Sequence, residues 1–368
     1  MDPTTATGAT VPDTQHRIER LRERIDASGW TGLIVLDPAD VRWLTGLESS
    51  NAAVVVTAHE TVVATDFRYV AAAEARGLRV ARIEQSMWTD LGRVAGELAG
   101  GGALGYPPSG LTHRAFLQFT DALPDSVQLR SADGVVAGLR VTKDAGEIEK
   151  IRRAASLLDG AYELVAGMGL AGRREGDVAW AIERHLRESG ASGLSFESIV
   201  AGGTNGAYPH HSPKGDAIPA DTLVTIDIGC VVDGYCSDCT RTFAVGDPGP
   251  ELREAYDLTL RAQEESLAAV RAGAHGRDVD AVARDIIAEG GHAEHFGHGL
   301  GHGVGMEIHE APRLSRTSED ILRAGMVVTV EPGIYIPGVG GVRIEDLVVV
   351  TDEGYDLLTH FTKDLVQA

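Results

Sequence analysis

Long apolar runs are missing from this chain: no stretch approaches the roughly 20 residues a helix needs to cross a bilayer. The N-terminus also lacks a charged-then-apolar secretory pattern, so the cytoplasm is the expected compartment. Basic residues are scarce. Lys+Arg 33 against Asp+Glu 54 leaves a net charge of -21 at pH 7, which repels phosphate backbones and anionic lipid and excludes nucleic acid and membrane as partners. Cysteine is scarcer still. Cys230, Cys236 and Cys239 form an odd cluster, unlike a secreted disulfide framework. Cys236-Ser-Asp-Cys239 lacks the second ligand pair of a zinc knuckle, so the thiols are read as small buried residues. Aromatics are few at 5%, but 43% hydrophobic residues over 368 positions suffice for two ordinary domains with sizeable cores.

Residues 1–15, rich in Thr, Ala, Pro and Asp without periodicity, are expected to be a disordered tail. Beyond them helical and extended patterns alternate. Ile18, Leu21 and Ile25 predict a helix over 16–28, and apolar runs at 32–36, 51–57, 60–65, 78–83 and 103–106 read as strands. Helices are expected at 66–76, at 88–99 and from 112, which makes the first 135 or so residues a mixed α/β domain. The stripe Ile148, Ile151, Ala155, Leu158, Tyr162 and Val165 then predicts a long helix opening a second domain. Further helices are expected over 174–188, 251–271 and 277–289, with β segments at 195–200, 222–232, 235–245, 326–331 and 342–351. A helix pair followed by strands thus occurs twice, at 145–245 and 251–351, as an internal duplication would produce.

The chemistry concentrates in a few places. Residues 296–310 pack His298, His302 and His309 among five glycines, a run too glycine-rich for a stable helix and suited to close approach of a ligand. Asp227 and Asp238 lie on two strand candidates joined at Asp233-Gly234, a dipeptide that favours a two-residue hairpin turn. With that tip, Asp227 faces Thr240 and Asp238 faces Gly229, so both carboxylates share one face as diagonal neighbours. Glu331 ends an apolar strand before Pro332-Gly333, and Arg343 and Glu345 share a face of another by the two-residue period. Clustered carboxylates in apolar strands are costly unless a cation joins them. A carboxylate-rich set with one imidazole suits Mn, Fe, Co or Zn better than a structural zinc.

The segments Asp227-Ile-Gly, Gly234-Tyr-Cys-Ser-Asp238-Cys-Thr-Arg-Thr242, Gly301-His302-Gly-Val-Gly-Met-Glu-Ile-His309-Glu, Glu331-Pro-Gly-Ile-Tyr335 and Gly341-Val-Arg-Ile-Glu345-Asp together resemble the Xaa-Pro aminopeptidase and prolidase branch of the pita-bread metallopeptidases, peptidase family M24. Trp43-Leu-Thr-Gly46 and Thr65-Asp-Phe-Arg-Tyr69 are similar to that family's creatinase-like N-terminal domain, and residues 139–147 to its domain junction. The fold class implied is α+β: an α/β domain over 16–138, then a pita-bread catalytic domain over 139–368 whose pseudo-twofold halves each carry helices and an antiparallel sheet. The activity implied is hydrolysis of the bond between an N-terminal residue and proline, by a hydroxide bridging two divalent metal ions, Mn2+ first and Co2+, Zn2+ or Fe2+ next.

Carried over by position, the resemblance implies that Asp227 and Asp238 bind one ion and that Asp238, His302, Glu331 and Glu345 serve the other, with Asp238 and Glu345 bridging. Glu331 doubles as proton shuttle, His210, His298 and His309 contact substrate, and Arg343 orients Glu345 or a substrate group. By spacing His210 is the family histidine, although a one-residue slip exchanges it with His211. His59, His113, His185, His292 and His295 are read as structural. The partners implied are a short proline-containing peptide and a second copy of the chain, as a homodimer. Hydrolysis of another small amide on the same fold, of ectoine or creatine type, and a non-catalytic pita-bread binding module are the alternatives. The complete ligand set weighs against the metal-free creatine chemistry and against the binding module.

Overall fold

The computed structural model describes residues 14–368. The tail expected at 1–15 therefore lies outside the described residues except for Thr14 and Gln15, which already belong to the helix Thr14–Ala27. Two compact units divide the chain, one ending at Arg140 and the other running from Val141 to Ala368.

The first unit is built on a six-stranded mixed sheet, in the order Arg79–Arg82, Thr61–Thr65, Ala52–Thr57, Gly32–Val35, Gly102–Tyr106, Val127–Ser131. The inner strand Gly32–Val35 is buried at every position, so its sequence is a continuous apolar run without alternation. Ile34, Val55, Ala64 and Leu104 of the sheet close over Leu91 and Ala95 of the helix Met87–Ala99 and over Phe119 of His113–Asp121. Directly after the strand expected at 32–36, Asp37-Pro38 starts a helix. The Asp37 carboxylate accepts from the backbone N–H groups of Ala39 and Asp40, and Pro38 holds the first helical position of Pro38–Thr45, where its missing N–H costs nothing. Val127–Ser131 went unrecognised because an edge strand this short offers only Val127 and Leu129 as a pattern.

In the second unit the helix Ala145–Ala166 begins at a capping box: Asp144 accepts from the Glu147 N–H and Glu147 accepts from the Asp144 N–H. This helix and Glu175–Glu188 bury Leu158, Tyr162, Val178 and Ile182 against Val200, Ile226 and Phe243 of the antiparallel strands Ile199–Gly202, Thr222–Ile228 and Cys239–Val245. The arrangement then repeats. Helices Gly249–Ala269 and Gly276–Glu289 bury Tyr256, Leu267, Val279 and Ile287 against Val328, Val330 and Val348. Those valines belong to a five-stranded antiparallel sheet ordered Glu310–Leu314, Gly301–Gly303, Val327–Val330, Asp346–Val350, Tyr355–Leu357. Two helix-and-antiparallel-sheet halves, each with its own core, are the pita-bread arrangement implied by the motifs.

Four expected strands are broken. Of the run expected at 195–200 only Ile199 and Val200 are extended, in the strand Ile199–Gly202; a short strand Gly193–Leu194 precedes it, and Ser195 Oγ between them is held by the carbonyls of Cys230 and Ser237 at 3.0 Å each. The run expected at 222–232 is interrupted at Gly229, the one at 235–245 divides into Tyr235–Cys236 and Cys239–Val245, and the one at 342–351 divides into Gly340–Arg343 and Asp346–Val350. Each break is a passage from one sheet to another, and at the three later ones the apolar period is blind to it because both parts are largely buried. Those three matter because they bend the chain at Asp227, Asp238 and Glu345.

Candidate metal centre

The ladder between Thr222–Ile228 and Cys239–Val245 pairs Asp227 with Thr240 and Ile228 with Cys239, the register that a tip at Asp233-Gly234 predicts. Asp238 lies just outside the ladder, where the strand resumes after Cys236. Glu345 lies in the break after Gly340–Arg343, and Glu331 just past the end of Val327–Val330. Asp227, Asp238 and Glu345 are all buried, and each offers an oxygen within 4.8 Å of the others. His302, in the strand Gly301–Gly303, points Nε2 at Asp238 Oδ2, 3.5 Å away, and at Glu331 Oε1, 3.3 Å away. Its strand neighbours must be glycine. A Cβ on Gly301 would sit 2.0 Å from the Thr329 carbonyl oxygen, and one on Gly303 2.1 Å from that of Ala311.

The tautomers follow from the acceptors. His302 Nδ1 lies 3.1 Å from the Gly303 carbonyl, which can only accept, so Nδ1 carries a proton, and Nε2 faces the carboxylates, where Glu331 favours the charged ring and accepts its second proton. His298 Nδ1 likewise donates to the Gly299 carbonyl at 2.8 Å. Its Nε2 lies 2.9 Å from the Tyr335 hydroxyl, which receives an Arg343 N–H at 2.9 Å and so donates its own proton to the imidazole. Both nitrogens of His298 are thereby engaged, and burial holds its pKa down. Arg343 binds Asp227 Oδ2 at 2.7 Å and Thr240 Oγ1 at 3.0 Å, and Thr240 donates to Glu345 Oε2 at 2.8 Å. Arg343 and Glu345 thus meet at Thr240 and not on one continuous strand face.

Burial, then mutual repulsion, pushes Asp238 well above the ordinary carboxylate range. Glu345 is pushed well above it for the same two reasons. Asp227 is raised by burial in spite of Arg343. Burial acts on Glu331 in the same direction, but its contact with His302 outweighs that and holds it at about 2. Asp227 Oδ1 and Glu345 Oε1 are buried with no hydrogen-bond partner among the described residues. Orphaned oxygens converging among like charges are what a divalent cation satisfies, so the residues present fit one.

A stability trend follows. A raised carboxylate contributes stability that is full below its unfolded pKa and lost as pH rises through the folded value; the lowered Glu331 loses its contribution only as pH falls toward about 2. Metal-free protein is therefore expected to melt at lower temperature as pH rises from about 5 to about 8, and a divalent cation to reverse that slope. Melts in chelating and metal-supplemented buffers check it. A metal-free melting temperature that climbs over that range contradicts the assignment.

A cavity of about 280 Å³ opens on this cluster, lined by Asp227, Asp238, His302 and Glu331 and also by His210, His298, His309, Arg343, Phe196 and Ile199. It sits at the small end of ligand pockets. His309 stacks edge-on against His302 with ring centroids 4.4 Å apart, and burial followed by the His302 charge lowers its pKa. His211 turns away from the cavity to Glu175, 2.7 Å from its Oε2, while the neighbouring His210 lines it. His292 and His295 bond each other, Nδ1 to Nδ1 at 2.9 Å, and line no part of it. Tyr335 and Arg313 also line the cavity and were missed from sequence. Tyr335 stood inside the Glu331-Pro-Gly-Ile-Tyr motif, which was the available signal; Arg313 had none.

The model of metallopeptidase family M24 matches residues 149–352, and that of the creatinase/prolidase N-terminal domain matches 17–142. The uncharacterized peptidase YqhT of Bacillus subtilis strain 168 is 37% identical over 352 residues, 95% of this chain and 99% of that protein. The structure of an Xaa-Pro dipeptidase from Bacillus anthracis superposes with TM-score 0.93 at 37% identity, covering 97% of this chain and 100% of that one. An X-Pro aminopeptidase from Thermotoga maritima superposes with TM-score 0.88 at 30% identity, covering 95% and 99%. A family match over more than half the chain, whole-length relatives and a cation-ready cluster of buried carboxylates agree: the chain belongs to metallopeptidase family M24, whose members are hydrolases that work with divalent metal ions.

Proposed function

We propose that this protein is a metal-dependent Xaa-Pro peptidase that hydrolyses the bond between an N-terminal residue and proline. The observation that carries the reading is the convergence of Asp227, Asp238 and Glu345 within 4.8 Å, with Asp227 and Asp238 lining a cavity that four histidines also line. Asp227 and Asp238 would hold one ion, and Asp238, His302, Glu331 and Glu345 a second, with Asp238 and Glu345 shared. Carboxylates with a single imidazole fit Mn2+ first, ahead of Co2+, Zn2+ or Fe2+. When bound, such ions supply a water acidic enough to attack a carbonyl near neutral pH.

The protein's own groups then divide the work. Glu331 remains a carboxylate and takes the proton of the attacking water, delivering it to the departing proline nitrogen. His309, kept neutral, can donate an N–H to the peptide oxygen as charge develops there, and His210 contacts the same carbonyl from the facing loop. His298, with both nitrogens engaged, presents its ring edge and holds Tyr335. Phe196, Ile199 and Pro209 give an apolar wall for a pyrrolidine ring. Exposed Arg313 lines the cavity with no ion pair among the described residues and suits a dipeptide's free carboxylate.

The free buried cysteines fit a cytoplasmic protein, and we take the active species to be a homodimer of chains with an N-terminal domain over 16–138 and a catalytic domain over 139–368. The test is metal content together with turnover of Ala-Pro and Ala-Pro-Ala. Metal retained and Ala-Pro cleaved is the expected result, and Arg313→Ala should lose about tenfold more on Ala-Pro than on Ala-Pro-Ala. A metal-free preparation that cleaves neither peptide after Mn2+ is added sinks the reading.

A further inference from the structure

Glu175 is a buried carboxylate for which the metal centre has no use. It opens the helix Glu175–Glu188 and is 1% exposed. Its Oε1 accepts from the Gly202 backbone N–H at 2.8 Å and from Asn205 Nδ2 at 3.0 Å, and its Oε2 lies 2.7 Å from His211 Nε2. A carboxylate left unpaired here would be costly, and three protein donors satisfy it. Because an ionised carboxylate only accepts, the His211 proton facing it is on Nε2.

All three donors belong to the stretch from the strand Ile199–Gly202 through residue 211, which leads toward Thr222–Ile228. Within it the chain makes a tight turn over Gly203–Ala207, then Tyr208 N–H donates to the Asn205 carbonyl and His211 N–H to that of Tyr208. The returning part is tied to the same helix start, since the N–H groups of Glu175 and Gly176 donate to the carbonyls of Asp216 at 3.0 Å and Lys214 at 2.9 Å. On the other side the turn lies flat on the strand Gly340–Arg343: a Cβ on Gly341 would sit 2.0 Å from the Gly206 carbonyl oxygen. Arg343 also reaches the loop, donating to the Pro209 carbonyl at 3.4 Å, so His210, exposed itself, is carried by a loop that the buried Glu175 carboxylate ties from behind. The ligand atoms of Glu175, His211 and Asp216 lie within 4.8 Å of one another, but both Glu175 oxygens are committed to protein donors, so the group is a strap and not an ion site.

We propose that Glu175, acting through His211, is the positioning residue that aims His210 into the cavity. The proposal rests on the reading of His210 as a substrate contact, and a misplacement of about 1 Å can cost on the order of 100-fold in rate. His211→Leu removes one donor at a partly exposed position and is expected to lower kcat on Ala-Pro about tenfold while KM changes less than about threefold. His211→Gln, whose amide can still donate to Glu175, should recover most of that loss. Added to His210→Asn, the same His211→Leu change should cost under about twofold, because its effect passes through His210. Glu175→Leu should lose more, with unchanged Mn2+ affinity by calorimetry; if it does not fold, the His211 series decides.

Hydrogen exchange keeps the strap testable apart from the peptidase reading: backbone amides across 202–211 should exchange at least about tenfold faster in His211→Leu than in wild type. Full kcat in His211→Leu, an undiminished loss in the His210→Asn background, or unchanged exchange would each overturn the proposal. Wild-type protein inactive on Ala-Pro would remove the substrate reading, and exchange would then decide the strap alone.

Discussion

Asp238→Asn is expected to lower Xaa-Pro turnover on the order of 1,000-fold or more while leaving the fold intact. Asp238 lies between the other groups of the cluster: it shares the 4.8 Å grouping with Asp227 and Glu345, and His302 Nε2 is 3.5 Å from its Oδ2. The amide has the same shape but brings no charge and offers one oxygen in place of two, so it cannot join two cations. Without metal the sign reverses. Asp238 is pushed up by burial and then by Glu345, Asp227 and Glu331, so neutralising it relieves repulsion, and the metal-free variant should melt at or above the wild-type temperature. What it should lose is the stabilisation by added metal, about 2.7 kcal/mol for a ligand at about 100 times its Kd. Kinetics and paired melts with and without Mn2+ check both halves. Wild-type turnover refutes the shared-ligand role, and a metal-free variant melting well below wild type refutes the electrostatic account.

Arg343→Met should act in the opposite direction on the metal-free protein. Arg343 is 4% exposed and supplies hydrogen bonds to Asp227, Tyr335 and Thr240. Methionine fills much of the space and donates nothing. Asp227 is then left among Asp238, Glu331 and Glu345 without its cation, and removing one partner of a buried pair typically costs about 3–5 kcal/mol. For a domain of this size that is a melting temperature lower by roughly 6 to 20 °C, part of which Mn2+ should restore by supplying the missing positive charge. Arg343→Lys should not rescue it, because one ammonium cannot reach acceptors in three directions. Turnover should fall on the order of 100-fold, since the Arg343–Tyr335–His298 chain loses its anchor. A metal-free melt equal to wild type contradicts this account.

How far the site could be read in advance differs from residue to residue. Asp227 opposite Thr240 followed from a two-residue turn and simple counting, because a hairpin register is a local property. Arg343 and Glu345 were read as neighbours on one strand face, yet the strand ends between them and they meet through Thr240, 103 and 105 positions away in sequence. Glu175 carried no signal, being one glutamate at the start of an amphipathic helix. Its meaning lies in contacts to Gly202, Asn205 and His211, 27 to 36 residues downstream. His210 and His211, adjacent and chemically identical, differ only in that one lines the cavity and the other meets Glu175.

The sequence by itself determined the kinds of groups and their local frames: the carboxylates at 227, 238, 331 and 345, the glycines that let His302 run close to Thr329, the hairpin tip, and the doubled helix-and-strand pattern. Periodicity and turn chemistry act over a few residues, so these are legible there. Tertiary structure alone decided that Asp227, Asp238 and Glu345 converge within 4.8 Å, that two of their oxygens have no hydrogen-bond partner among the described residues, and that Arg343 neutralises Asp227. Such charges are tolerated in an apolar interior only when several distant segments arrive together, and no local rule encodes that meeting.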